Sequence, residues 1–512
     1  MKTTARKNKT IGAILSYSLL IFGIFSHIFF TPFLLDKVGD VQYGVFSFVT
    51  SITSWFTICV YALNDSYIKF ATQEIKNSAK PNKTNSIYLK MLIILSISVA
   101  IIGILLFFLF LTNIIPLQSF NNNEKQLFLI LYIISLIQIL FVSIFSIFKL
   151  YNEFNQSFAL VNFLNLLNSV LYTFISFIFL LLGFKIIAVA IVQLFSVAFT
   201  LLINLVYAKR KNSMQFQKVS FGENRPLFKT IINFTLFLLL NTIITEINLS
   251  VDRTILGIFV GATYVTIYQL SMSFQTYFIS AATSVNSVFI PEINRNVLNA
   301  KHDANQRLFD LISTLQSFIL IFVFGGFVFC GKDFVISWVG AEKIEVYYIA
   351  IVLLLFELFP NSTYTSKAIQ RAHAKHKVPA IIYLVTSVLN VIISVILIKL
   401  LPTKYCFLAC LIGTGISTIL SKWIIVPIYN FKKISLSYGN AIITLIGFSI
   451  CFVTSWLLAN KIYQSLYYFL GASWLSFFVK AILYTVFFLL VYIALSKVGV
   501  VNKIQRKVKK HE

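Results

Sequence analysis

A small set of side chains inside otherwise apolar stretches could do chemistry. Asp65, Glu246 and Glu357 are acids in such stretches. A carboxylate there can take up a proton or Na⁺, so these three are candidate coupling carboxylates. His27, Arg253, Lys422 and Lys480 are the ionisable or cationic groups at comparable depth or at the rim; they are candidates for charge-assisted hydrogen bonds to an anionic solute. The amides Asn162, Asn165 and Asn168 share one helix face with Tyr172, and Asn241 and Asn248 accompany Asn233, Thr245 and Glu246. Ser47, Ser51, Ser54, Tyr61 and Asp65 fall on one face at 3.6 residues per turn, and Ser273, Thr276, Ser280, Ser284 and Ser287 make a second stripe. Lipid cannot satisfy these groups, so they must face protein or a wet cavity.

Plainer readings stand beside these. Small hydroxyl residues also serve as contacts between membrane helices. The long stems of Lys422 and Lys480 are able to snorkel to an interface. His27, in SHIFFTPF, reads as a packing histidine, Asp65 and Lys69 as an ion pair at the rim, and Asp252-Arg253 as an external turn. Two lookalikes fall away. GFVFCGKD imitates a phosphate loop, but Asp333 stands where Ser or Thr is needed. His373 and His376 sit in a strongly basic, solvated segment, and five cysteines without a CxxC pair make neither a disulfide framework nor a zinc site. No metal and no cofactor is expected beyond a coupling ion, Na⁺ or H⁺.

The elements that must hold these groups follow from composition. Hydrophobic residues make up 58% and charged residues 12% of the 512 residues, too little polar matter to cover a water-soluble fold of this size. The expected fold is an all-α polytopic membrane protein. Segments of about 20 apolar residues occur fourteen times: residues 11–34, 41–64, 89–114, 126–149, 157–182, 185–206, 229–250, 254–287, 310–330, 346–366, 378–400, 406–428, 440–460 and 473–496. The net charge of +25 raises nucleic-acid binding, but its distribution answers differently. With the N-terminus in the cytoplasm, the inner stretches hold 31 of the 42 Lys and Arg and the outer ones 9. That bias predicts fourteen spans with both termini inside, and no nucleic-acid partner. The expected organisation is a transmembrane half over 1–206, a basic cytoplasmic linker over 207–228, a second half over 229–428, and two further helices with a basic tail over 429–512. Short loops leave no room for a soluble catalytic domain.

A faint internal repeat supports two halves. FLLDKVGDVQYGVFSF near the first two spans parallels TILGIFVGATYVTIYQLSMSF near the seventh and eighth. Both would run in the same direction, giving two six-helix halves in parallel pseudo-repeat, an organisation typical of alternating-access transporters. Together with the topology, INLSVDRTILGIFVGATYVTIYQLSMSF resembles the Wzx-type oligosaccharide flippases of the multidrug/oligosaccharidyl-lipid/polysaccharide exporter superfamily. The family pattern falls on Asp252, Arg253, Gly257, Gly261 and Tyr268, and its counterpart in the first half on Gly39, Tyr43 and Gly44.

The resemblance implies a membrane transporter rather than an enzyme. Its implied substrate is an undecaprenyl-diphosphate-linked oligosaccharide, moved from the inner to the outer leaflet of a bacterial plasma membrane for O-antigen or capsule synthesis. A polysaccharide polymerase and a chain-length regulator are the implied partners. The strongly basic cavity usual in such flippases is not matched here, since only His27 lies well inside a span of the first half. A drug or cation antiporter of the same superfamily, or a multi-span glycosyltransferase or polymerase, are the alternatives.

Overall fold

The apolar runs, broken only by short polar or Gly/Pro-marked turns, become helices throughout a computed structural model of the chain. It describes residues 2–497 except 77, 79, 116, 118, 119, 221–223, 288, 300, 301, 374 and 471–473, and leaves out some side chains inside helices. In order these are α1 (Lys2–Val38), α2 (Asp40–Glu74), α3 (Asn82–Leu111), α4 (Asn122–Phe154), α5 (Phe158–Leu181), α6 (Ile186–Arg210), α7 (Arg225–Phe259), α8 (Ala262–Ser287), α9 (Ile290–Leu298), α10 (His302–Val339), α11 (Glu345–Ser362), α12 (Thr365–Ala372), α13 (Lys377–Leu400), α14 (Cys406–Thr418), α15 (Val426–Ile434), α16 (Gly439–Leu470) and α17 (Trp474–Lys497). A π-helical segment, Ile419–Ile425, joins α14 to α15.

Among the described residues, twelve helical stretches are long and apolar enough to cross a membrane. The other two expected spans correspond to α7 and α8, helices of 35 and 26 residues. The solvation pattern is inverted relative to a water-soluble protein. Helix α3 buries Thr84, Asn85, Ser86 and Ser96 while Ile97, Ile101, Leu105 and Phe108 are exposed. Small and polar groups therefore share the helix contacts with Ile87, Tyr88, Leu92 and Phe110, while large aliphatic side chains also meet the surroundings, as lipid permits.

The two Val-Gly dipeptides of the repeat are the turns α1–α2 and α7–α8. Gly39 and Gly261 both have positive φ, +79° and +135°, a conformation that glycine adopts without steric cost. One boundary differs from expectation. Helix α7 continues to Phe259, so Asp252 and Arg253 are helical residues and not an external turn, and α8 begins at Ala262 rather than near 254.

The chain forms two compact units, Met1–Thr266 and Ile267–Glu512, with α8 straddling the division. In the first, α2 packs along α7 and α4, α1 against α5, and α4 against α6. The described part of the basic linker packs within this unit. Met214 and Val219 join a core with Tyr67, Tyr88 and Tyr151, while Asn85 donates to the Gln215 carbonyl (3.1 Å) and Gln217 N–H to Ser86 (2.7 Å). In the second unit, α10 packs with α11, α16 and α17, and α13 with α14.

Candidate functional site

In the first unit the serine stripe of α2 faces α7. Ser51 meets Thr254 at 3.1 Å and Ser54 meets Ser250 at 3.0 Å. Ser250 also donates to Glu246 and accepts from Arg253 Nη2 at 3.2 Å. Glu246, Ser250 and Arg253 lie at i, i+4 and i+7 on α7, so one helix face carries an acid and a cation bridged by a hydroxyl. Two candidates distant in chemistry are thus brought together, and continuing α7 through Arg253 is what does it. The side chains of Asn241 and Asn248, on the same helix, lie outside the described residues.

The close α2–α8 approach depends on Gly44. A Cβ there would sit 1.9 Å from the Ala262 carbonyl oxygen, and Thr266 donates to the Asp40 carbonyl at 2.7 Å. Part of the family pattern is therefore a packing device of the hairpin turns.

Helices α1 and α5 are joined by Asn162, whose amide donates to the Gly12 carbonyl (2.9 Å), and by Ser26 against Thr173 (2.9 Å). Asn162 is thus a helix contact, while Asn165 and Asn168 are half-buried on the same face. His27 Nδ1 bonds Thr31 Oγ1 at 2.9 Å. Asp65 is exposed. The expected Asp65–Lys69 rim pair is not what holds the lysine, because Lys69 Nζ stands 3.4 Å from the centroid of the Phe234 ring; the aromatic face attracts the cation. A pocket of about 540 Å³ opens where α2, α4 and α6 begin, lined by Asp40, Gln42, Asn121, Asn123, Glu124 and Lys185 among others. Asn121 and Glu124 form a capping box there, a signal present in the sequence as Asn-x-x-Glu.

In the second unit neither buried lysine snorkels. Lys422 pairs with Glu357 at 2.6 Å, with side chains 17% and 7% exposed. Lys480 pairs with Asp333 at 2.7 Å. A buried carboxylate without a cation is costly, so each lysine turns inward to an acid rather than outward to an interface. Asp333 was visible in the sequence only as the residue that spoils a phosphate loop. Its second partner is Ser476 (2.8 Å), and Lys480 also stands over the Tyr463 ring at 4.3 Å. This group fastens α16 and α17 to α10.

The other carboxylate oxygen of Glu357 accepts from Asn361 at 2.9 Å. A small cavity beside the pair is lined by Lys367, Lys422, Ser366, Tyr383 and Tyr438, and leaves about 10 Å³ for the centre of a water-sized sphere. Lys367 stands 4.7 Å from the Tyr364 ring centroid. Burial, together with the Lys422 charge, pushes its ammonium down to about 8 from an ordinary 10.5. Sequence reasoning passed over Lys367 because it belongs to a basic loop. Among the described residues no three His, Cys, Asp or Glu are placed to hold a metal ion.

The comparisons with known proteins bear on this arrangement. Comparison with curated protein sequences finds no match. Among solved structures, the lipid II flippase MurJ in an inward closed conformation superposes with a TM-score of 0.72 at 14% identity, over 96% of this chain and 99% of that one. An inward-facing multidrug resistance MATE family transporter of the MOP superfamily superposes with a TM-score of 0.55 at 16% identity, over 83% of this chain and 98% of that one. The Vibrio cholerae MATE transporter VcmN, in a mutant form, gives 0.56 at 14% identity, over 86% and 100%. These likenesses show a shared fold. A family model described as polysaccharide biosynthesis protein matches residues 9–297, more than half of the sequence, and the chain belongs to that family.

Proposed function

We propose that this protein is a flippase for polyprenyl-diphosphate-linked oligosaccharides, of the kind used to build O-antigen or capsule. It moves them from the inner to the outer leaflet of a bacterial plasma membrane by alternating access, with both chain termini in the cytoplasm. The observation that carries this reading is the extent of the lipid II flippase likeness, which takes in 96% of the chain, combined with the polysaccharide biosynthesis family match. The two MATE transporters match 83% and 86% of this chain, which favours the lipid-linked substrate over a drug. The pocket of about 540 Å³ in the first unit is in the size range of small-molecule sites; its walls are largely apolar, and the amides and carboxylates among them suit sugar hydroxyls.

Of the three candidate acids, Glu246 is the best suited to cation coupling. Glu357 is already neutralised by Lys422 and Asp65 is exposed at the far end of α2, whereas Glu246 is met by a hydroxyl that can equally serve a protonated or Na⁺-bound carboxyl. Partnership with a polymerase and a chain-length regulator follows from the same reading.

Reconstitution tests it. Vesicles containing the purified protein and a fluorescent polyprenyl-diphosphate oligosaccharide should expose that lipid to an external glycosidase faster than empty vesicles. Deleting the gene should deplete surface polysaccharide and accumulate the lipid-linked unit. Normal surface polysaccharide in the deletion strain, or export of an organic cation in place of the lipid, would sink the reading. Glu246→Gln should retain binding and lose dependence on the ion gradient.

A further inference from the structure

Three charged side chains from three different segments meet near the end of α11. Glu357 lies on that helix, Lys422 on the π-helical segment and Lys367 on α12. Both carboxylate oxygens of Glu357 are engaged, one by Lys422 and one by Asn361. Two lysines against one acid leave the group a positive charge in excess, and both lysines line the cavity, whose lining contains no acid. Arg371, exposed and close enough to repel the Lys367 charge, adds a further cation beside it.

The remaining walls are the hydroxyl residues Thr363, Ser366, Tyr383 and Tyr438 together with apolar Pro360, Val426 and Pro427. Tyr438 accepts a hydrogen bond from Asn430 at 2.7 Å and shares another with Ser366, in which either hydroxyl can be the donor. Lysine ammonium groups and a phenol are what an anionic oxygen requires, because charge-assisted hydrogen bonds are about twice as strong as neutral ones. The free volume of about 10 Å³ suits one oxygen-sized atom and is far too small for a sugar ring.

We propose that this cavity is a phosphate site, in which one anionic oxygen lodges between Lys367 and Lys422 while the rest of the phosphate stays outside. As a claim about the transported lipid it rests on the flippase reading above; as an anion site it rests on these residues alone. Glu357 competes with the incoming oxygen for Lys422, so it sets how tightly the anion is held. The phosphate can belong to a lipid headgroup or come free from solution, and the chemistry is the same.

The test uses the full-length protein in phosphatidylcholine nanodiscs, titrated with inorganic pyrophosphate at constant ionic strength. Trp423 adjoins Lys422 in sequence, so its fluorescence is the reporter, with Trp423→Phe as the blank and ³¹P line broadening as an independent readout. Saturable binding is expected. Lys367→Ala should weaken it by about tenfold, the equivalent of one charge-assisted hydrogen bond, and Glu357→Gln should tighten it by releasing Lys422. Adding phosphatidylglycerol to the nanodisc should raise the apparent pyrophosphate dissociation constant when a lipid headgroup is the source, and leave it unchanged when the source is a free phosphate. Equal responses in both variants, or an equal response to chloride, overturn the proposal. Pyrophosphate binding without oligosaccharide flipping would count against the flippase reading and leave the anion site intact.

Discussion

Trp423 donates its indole N–H to the carbonyl of Phe356 at 3.0 Å, the acceptor that Pro360 deprives of its helical donor four residues on. The preceding residue, Lys422, reaches the next residue of α11, Glu357. Consecutive side chains of one segment therefore satisfy consecutive groups of its neighbour. On a regular helix successive residues point about 100° apart, and the π-helical turn at Ile419–Ile425 supplies a local departure from that spacing. Such π-helical turns are frequent at functional sites.

The indole bond gives a thermodynamic cycle. Trp423→Phe should lower the stability of the purified protein by about 1 kcal/mol, the net worth of a part-buried hydrogen bond. In a Pro360→Ala background the backbone N–H returns to Phe356, so the Trp423→Phe penalty should shrink. Thermal unfolding of all four proteins in one detergent measures the coupling. Equal penalties in both backgrounds would show that the indole acts through packing alone.

Breaking the Glu357–Lys422 pair from one side strands a buried charge. Lys422→Met should be the damaging variant, by about 3–5 kcal/mol, while the double variant Glu357→Gln/Lys422→Met should recover most of that loss. Folded yield and melting temperature decide it. A double variant as unstable as Lys422→Met would mean that the lysine stem, not its charge, matters.

The sequence carried the helices more fully than their pairings. Among the described residues the apolar runs are helical, apart from turns such as that at Val260 and Gly261 inside the run 254–287, because a 20-residue apolar segment has few other ways to satisfy its backbone in lipid. The Val-Gly repeat marked two turns that need positive φ at Gly39 and Gly261. The partners of Lys422 and Lys480 were not legible, since Glu357 is 65 residues from one and Asp333 is 147 from the other, and sequence spacing says nothing about contacts between distant helices. Arg253 was misplaced for a local reason: Asp-Arg reads as a polar break, yet the aliphatic residues after it carry α7 on to Phe259. Lys367 escaped notice because a lysine in a basic loop is ordinarily solvated.

Gly44 and Gly23 form a matched pair for testing the α2–α8 approach. Gly44→Ala places a methyl 1.9 Å from backbone oxygen, which cannot swing aside, whereas a Cβ at Gly23 meets nothing within 4 Å. Gly44→Ala should therefore cost about 1–3 kcal/mol or more as an overpacking penalty, or abolish folded yield. Gly23→Ala should be neutral or stabilising, gaining up to about 1 kcal/mol in helix propensity. Comparable yields for the two would refute the close contact.

Lys367 makes the pH prediction. Its ammonium is pushed down to about 8, first by desolvation and then by Lys422. A lysine whose folded value lies below its unfolded one binds fewer protons when folded, so stability rises with pH between the two values. The cost of burying this charge is thus fully present below about pH 8 and is relieved as pH climbs toward 10.5. Above about pH 8 the amine is neutral and nucleophilic. Its acetylation rate by acetic anhydride, read by mass spectrometry after digestion, should level off near that pH rather than keep rising toward the ordinary lysine value. Lys422→Met removes the repulsive neighbour but also unmasks Glu357, and both changes favour the charged form, so the midpoint should move upward in that variant. A midpoint that stays put, or one near 10.5 in the unmodified protein, would place Lys367 in bulk solvent instead of against the pair.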